Sequence, residues 1–389
     1  MPIDYQQIYT IIQELGKGLR ERRQTLEKRR AEVWELMNAF NFDLDLLRSL
    51  VDSARQADPN IRCARPLDES LLSAHPRPVT TTQATLIAAD GSQILPDRHA
   101  AIQYFVINVG AIAMQIGSGS SSQIFTQTDL HILDEFEDTL FSESQIALQR
   151  DVAERKKLLE IAQKYQAPII AVTEGQLELW GAADINNSRD FEKTLLDYLN
   201  ALKDMQDQNI VTSGYVDKPG ANWVVRLLEI ASLPKNELQN IKKHRPFLGV
   251  TDRWLFGNVL GKYERSAIFA LQAKSAEKYT DSIAIHFFYL NVGDKEKPVI
   301  VRVDVPLWVV LKKDALDMLH CALIEQTQIM SHKPFPYILH RAHETAVVSL
   351  REKEQVDQLL ALALRNNGGE MGEISGKQSA KNLPGRTRR

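Results

Sequence analysis

The sequence predicts an α/β protein: a mixed sheet flanked by helices, with an N-terminal helical arm and C-terminal helices. Three observations carry that reading. Short apolar runs at 85–89, 168–173 and 210–216 alternate with charged stretches of helical period, a pattern that implies at least partly parallel pairing. The run Pro168-Ile169-Ile170-Ala171-Val172-Thr173 is almost wholly apolar, as in a strand covered on both faces. The first 57 residues show helical spacing and no strand alternation.

Each element follows from its own pattern. In the arm, residues 1–57, Ile8, Ile11, Ile12, Leu15, Leu19 and Leu26 recur at helical spacing through to Val33, Leu36, Met37 and Phe40, with Arg22 and Arg29 interrupting the stripe. Asn41-Phe42-Asp43 offers a turn before a shorter helix carrying Leu46, Leu47, Leu50 and Val51. Such a stripe packs on the chain's own core or on a partner. Residues 58–84 form a proline-bearing connector. Strands are expected at 85–90, 101–116 (bending at Gly110) and 123–126. A helix at 150–165 leads to the strand at 168–173, a helix at 191–208, a strand at 210–216 and a helix from about 222. Residues 235–282 are charged and read as helical or irregular. Two strands, 283–291 and 299–305, precede helices at 311–330 and 340–364, the latter with a break. The tail, 366–389, is rich in Gly, Ser, Lys and Arg and reads as disordered and basic.

Composition narrows the classes. The chain is 44% apolar and 25% charged, ordinary for a globular protein. A formal net charge of −3 gives no global basic field, so any nucleic-acid contact must be local. The cysteines Cys63 and Cys321 form no zinc or disulfide pattern, which points to a reducing compartment. The apolar stretch 100–116 holds Gln103, Asn108 and Gln115 and is too short and polar to span a bilayer. The N-terminus has no signal-peptide pattern. The expectation is a cytoplasmic protein with no membrane partner.

Four local patterns carry candidate chemistry. Asp90-Gly91-Ser92 closes an apolar run and places a carboxylate at a strand end, with the glycine turning the chain and the serine bonding back; Asp-Gly is equally an ordinary hairpin turn. Thr173-Glu174-Gly175-Gln176-Leu177 repeats the arrangement. Arg150-Asp151-Val152-Ala153-Glu154 opens a helix, with Glu154 and Glu160 as competing carboxylates. Pro334-Phe335-Pro336-Tyr337-Ile338-Leu339-His340-Arg341-Ala342-His343-Glu344 sets a rigid turn before a helix bearing His343. Lys218 and Arg265 are candidate phosphate contacts. Asp304 is another acid, with Arg302 on the same strand face to pair with it. Carboxylates converging within a few ångströms suit phosphodiester hydrolysis with divalent cations, which activate water and stabilise the leaving oxygen.

In order and spacing these segments resemble the NurA family of DNA repair nucleases. That family shows "DGS" on its first strand, a helical glutamate, "DGSL" on a later strand and a C-terminal "YPYPL..AH". The stretches Gly214-Tyr215-Val216-Asp217-Lys218-Pro219, Glu264-Arg265-Ser266-Ala267-Ile268-Phe269 and Arg302-Val303-Asp304-Val305-Pro306 are similar to family members as well. The resemblance spans about 85–365 and implies a ribonuclease-H-like core. It implies Asp90, Glu154, Glu174 and His343 as catalytic residues, with Asp90, Glu174 and His343 on a two-metal Mn²⁺ or Mg²⁺ site, and Lys218 and Arg265 on DNA. It further implies a homodimer acting in DNA end resection and double-strand break repair with a HerA-type hexameric ATPase. The chain has no GxxxxGK[ST] loop of its own, so any motor must be a partner.

Two positions depart from the family pattern. Glu174 replaces an aspartate and moves its carboxylate out by about 1.5 Å, a displacement that can cost ~10²-fold in rate. Phe335 replaces a tyrosine and lacks its hydroxyl. These departures motivate one alternative to the DNA nuclease, a weakened adaptor that docks to the motor; a second alternative is a ribonuclease-H-like enzyme acting on RNA or another nucleic acid.

Overall fold

The computed structural model describes residues 4–79, 83–97, 102–133, 142–179, 188–330 and 333–366. They fall into two compact units, each discontinuous in sequence. One draws on 1–81, 175–177 and 213–335, the other on 82–174, 178–212 and 336–389.

The chain opens in the first unit with α1 (Tyr5–Lys17), α2 (Leu19–Ala39) and α3 (Leu44–Ala57). Asp4 caps α1, accepting from the backbone N–H groups of Gln6 and Gln7. Val33 and Met37 of α2 and Leu47, Leu50, Val51 and Ala54 of α3 are buried. The stripe's other half stays wet: Ile8, Ile11, Ile12, Leu15 and Leu19 are 41–61% exposed. Arg29 is no mere interruption, since its Nη1 donates to Leu248 O at 2.6 Å. Short strands β1 (Cys63–Pro66) and β2 (Ala74–His75) lie within the expected connector.

The second unit follows with β3 (Thr85–Ile94), β4 (Tyr104–Gln115), β5 (Gln123–Ile132), α4 (Glu143–Ala162), β6 (Ile169–Glu174) and α5 (Ser188–Asp207). Its sheet has the order β6-β3-β4-β5. β3 runs parallel to β6 and antiparallel to β4, and β4 is antiparallel to β5. Two expectations are corrected. Asp90-Gly91-Ser92 is no turn, because β3 continues through it and pairs out to Ile94↔Val106. Gly110 makes no bend; it sits in register between Asp90 and Thr126. α4 starts at 143 rather than 150 because Ser142 and Gln145 form a reciprocal capping box.

β7 (Val211–Val216) carries the chain back into the first unit, where Gly214–Val216 pair with Asp304–Arg302 of β11. There follow α6 (Trp223–Ala231), α7 (Asp252–Gly257), β8 (Arg265–Ser266), β9 (Phe269–Gln272), β10 (Ile285–Asn291), β11 (Ile300–Pro306), α8 (Leu307–Val310) and α9 (Lys313–Ile329). The strand order is β1-β9-β10-β11-β7. Every residue of β10 and β11 is buried, and Phe256, Phe269, Phe287 and Tyr289 stack along that core. The second unit closes with α10 (Tyr337–Ala346) and α11 (Leu350–Asn366). α11 packs Val356 and Leu360 on Ile94, Tyr104 and Val106. The expected disordered tail beyond 366 lies outside the described residues. Among the described residues no helix is long and apolar enough to cross a membrane.

Candidate active site

The candidate residues Asp90, Glu154, Glu174 and His343 all belong to the second unit. Alternation along β3 sorts its side chains between two faces. Asp90 leaves on the face covered by α10. Its Oδ2 accepts from His343 Nδ1 at 2.7 Å, and its Oδ1 accepts from Gly91 N–H at 2.9 Å. Because the carboxylate only accepts, the imidazole carries its proton on Nδ1 and presents Nε2 as the free nitrogen. The His343 side chain is 56% exposed while that of Asp90 is 18% exposed, so the pair has a half-buried end and a solvent end.

α10 is held in place one turn past His343. The carbonyl of Ala346 accepts from Ser92 Oγ at 2.5 Å and from Asn108 Nδ2 at 2.8 Å. These two strand side chains satisfy a C-terminal carbonyl that the helix itself leaves open. Thr128 Oγ1 donates to Asn108 Oδ1 at 2.6 Å and fixes the amide's orientation. Gly110, directly opposite Asp90, makes the approach possible: any Cβ there would collide with the backbone of Thr345 and Ala346. Ser92 thus bonds to a helix end rather than back to a turn.

Glu174 is the last residue of β6 and is exposed. The parallel register runs to Ala89↔Thr173, so Asp90 and Glu174 take the next position on adjacent strands and leave the sheet on the same face. Adjacent strands lie ~4.8 Å apart.

Glu154 comes from the other face. Gly91 leaves a gap there, and a Cβ in it would lie 2.5 Å from Arg150 Cγ and 2.7 Å from Glu154 Oε1. α4 lays both side chains into that gap. Burial, then the charges of Asp151 and Asp90, pushes the Glu154 carboxyl well above the usual range, while Arg150 and Arg155 pull it back. Burial also raises Asp151, against the pull of Arg150. Arg155 is fully buried and donates to the hydroxyls of Thr212 and Thr173 at 2.7 and 2.6 Å. It ties α4 to the strand that ends in Glu174. The competing Glu160 is drawn down by hydrogen bonds from Lys157 and Lys164 on the helix surface.

The remaining candidates lie in the first unit. Lys218 is exposed at a positive φ of 48°, with its Nζ 3.9 Å from Asp217. Arg265 is buried, and its two terminal nitrogens lie 3.0 Å from Glu69; it anchors a loop and does not face solvent. Asp304 is buried and pairs with Arg302 at 2.7 Å while accepting from Leu177 N–H. Phe335 stands edge-on to Tyr215, with ring centroids 5.6 Å apart. Sequence reasoning passed over Asn108, Arg150 and Asp151 as site residues. Asn108 had left a signal, a polar residue inside an apolar strand.

The donor set suits a hard cation in kind, since Glu154, whose carboxyl is raised first by burial and then by the charges of Asp151 and Asp90, gains from a positive charge beside it. Among the described residues, however, no three His, Cys, Asp or Glu side chains already converge as a ready-made metal cluster.

The sequence matches the NurA domain over residues 84–348. No curated protein matches the chain. Among solved structures, the NurA nuclease of Sulfolobus solfataricus superposes with a TM-score of 0.50 at 12% identity, covering 85% of this chain and 96% of that one. The catalytic domain of human endonuclease V aligns with a TM-score of 0.33 at 11% identity, over 82% of this chain and 98% of that one. The mixed α/β sheet flanked by helices is thus a fold that this chain shares with the Sulfolobus nuclease.

Proposed function

Because this chain belongs to the NurA family, we propose that it is a divalent-metal-dependent deoxyribonuclease that hydrolyses phosphodiester bonds during DNA end resection in double-strand break repair. The observation that carries the proposal is the Asp90–His343 pair at 2.7 Å with Glu174 at the adjoining register position. Two carboxylates and one imidazole lie on one face of one sheet end. Asp90, Glu174 and His343 would hold Mn²⁺ or Mg²⁺, with Glu154 contributing from the gap at Gly91. Bound there, the cations would supply Lewis-acid activation of water and charge stabilisation on the leaving oxygen. Asp90 holds the imidazole with its proton on Nδ1, which leaves the Nε2 lone pair of His343 to ligate a cation or to take a proton from the attacking water.

Asp90→Asn tests the assignment. The amide keeps the size and the hydrogen bond from Gly91 but loses the anionic ligand. We expect Mn²⁺-dependent DNA cleavage to disappear while the circular dichroism spectrum and thermal midpoint stay close to wild type. Wild-type cleavage rates in this variant would reject Asp90 as the central ligand.

A second reading, a docking adaptor of reduced activity, draws on the absence of a ready-made three-donor cluster among the described residues and on Glu174 and Phe335. Assays across several DNA ends with a HerA-type hexameric ATPase present separate the two readings; no cleavage by wild type would favour the adaptor. The exposed stripe of α1 supports association with that ATPase or with a second copy of the chain.

A further inference from the structure

We propose that Arg150 is a built-in counter-cation of this site: its guanidinium neutralises the carboxylates of α4 when no metal is bound, and an entering divalent cation displaces it. The inference rests on the metal-site reading above. Gly91 is bare where the arginine stem crosses β3, and a Cβ there would lie 2.5 and 2.9 Å from Arg150 Cγ and Cδ. The guanidinium lands among carboxylates yet is poorly satisfied. Nη2 donates to Asp151 Oδ1 at 2.9 Å. Nη1 is 3.5 Å from Gln93 Oε1, at the limit of a hydrogen bond. Nε is 3.5 Å from Glu154 Oε1 and is buried without any hydrogen-bond partner.

The neighbouring cation shows why Arg150 is the one that yields. Arg155 also leaves its Nε unpaired, but it is fully buried and two neutral hydroxyls hold its terminal nitrogens at 2.6–2.7 Å. Moving it would strand those bonds. Arg150 keeps one good bond, and its side chain is 30% exposed. It can swing toward solvent while a cation takes over its charge, and a divalent ion neutralises Glu154, Asp151 and Asp90 more fully than a single guanidinium does. An arginine in this place relieves the repulsion among the metal-free carboxylates and tunes cation affinity downward.

Calorimetric Mn²⁺ titration of the full chain tests this. Arg150→Gln should bind Mn²⁺ about tenfold more tightly than wild type (~1.4 kcal/mol), and Arg150→Lys, which restores the charge, should fall back toward wild type. In EDTA, Arg150→Gln should melt below wild type, and Mn²⁺ should raise its midpoint further than it raises that of wild type. Recovery of a folded Arg150→Gln protein by Mn²⁺ alone would support the same conclusion. Wild-type or weaker Mn²⁺ affinity in a folded Arg150→Gln protein, with binding still lost in Asp90→Asn, would overturn the counter-cation role and leave the metal site standing. Absence of Mn²⁺ binding in wild type and Arg150→Gln alike would overturn the metal site itself, and the inference with it.

Discussion

His343 is aimed by groups that lie one helical turn away from it. Ser92 and Asn108 hold the Ala346 carbonyl, and Gly110 lets that end of α10 rest on the strand. Replacing both polar groups (Ser92→Ala with Asn108→Ala) frees the helix end and leaves a C-terminal carbonyl unmet. The expected result is a fall in kcat of ~10-fold or more from a misplaced imidazole, with KM little changed, read by steady-state cleavage. Gly91→Ala is the sharper test on the other face, because the added methyl collides with Arg150 and Glu154. It should lower cleavage by ~10²-fold in a chain that still folds. Glu174→Asp shortens an exposed side chain at the end of β6. Cleavage that rises or holds steady marks a working variant of the family pattern, and a collapse in rate means this site depends on the longer arm. Asp90, Gly91 and Ser92 were visible in the sequence as a set, but their use was not. An isolated glycine signals a turn or a close backbone approach equally well, and only the packing of α4 against β3 decides for the approach.

Elements whose patterns were strong appear near their expected positions, and departures trace to specific competing signals. The strands at 169–174, 211–216, 285–291 and 300–306 were legible because apolar runs buried on both faces are hard to read otherwise. β3 and β5 run four and six residues past expectation, to Ile94 and Ile132, because ladder pairing to β4 outweighs Gly91, Ser92 and Gln127 in the sequence. The four short strands β1, β2, β8 and β9 were missed; each is two to four residues long and is specified by its partners rather than by its own periodicity. The arm divides where Gly16 and Gly18 flank Lys17. Beyond that break α1 keeps Tyr5, Tyr9, Ile11 and Ile12 57–67% exposed. The prediction belongs to this element: Ile8→Lys with Ile12→Lys should leave thermal stability within ~0.5 kcal/mol of wild type, as exposed substitutions do, while abolishing self-association in light scattering or capture of the ATPase. Unchanged mass and unchanged capture would exclude α1 as an interface.

At the scale of the whole molecule, two buried groups of the first unit make opposing contributions to stability against pH. Asp252 is buried on α7 and accepts from the backbone N–H groups of Val224 and Val225 and from Tyr289 Oη at 2.6 Å. Burial outweighs those bonds and raises its carboxyl to about 6. A raised acid favours folding when protonated, so its contribution is full below about pH 4 and is lost as pH rises through 6. His320 is buried on α9, and its Nε2 donates to Tyr263 O at 2.9 Å while Nδ1 has no partner. Burial first, then the charges of Arg265 and Arg77, lowers it to about 4 despite that bond. A lowered base favours folding when neutral, so its contribution is full above pH 6.5 and drains away as pH falls toward 4. Each shift is worth on the order of 3 kcal/mol at 1.36 kcal/mol per unit, and between pH 6 and 4 the two slopes have opposite signs and nearly equal size. His320→Gln should therefore gain on the order of 2–3 kcal/mol relative to wild type between pH 7 and 4.5, and Asp252→Asn should lose a comparable amount over the same interval. Urea unfolding of the three proteins at both pH values reads the differences directly. Parallel pH profiles for wild type and His320→Gln would mean that the buried imidazole does not resist protonation in the folded chain.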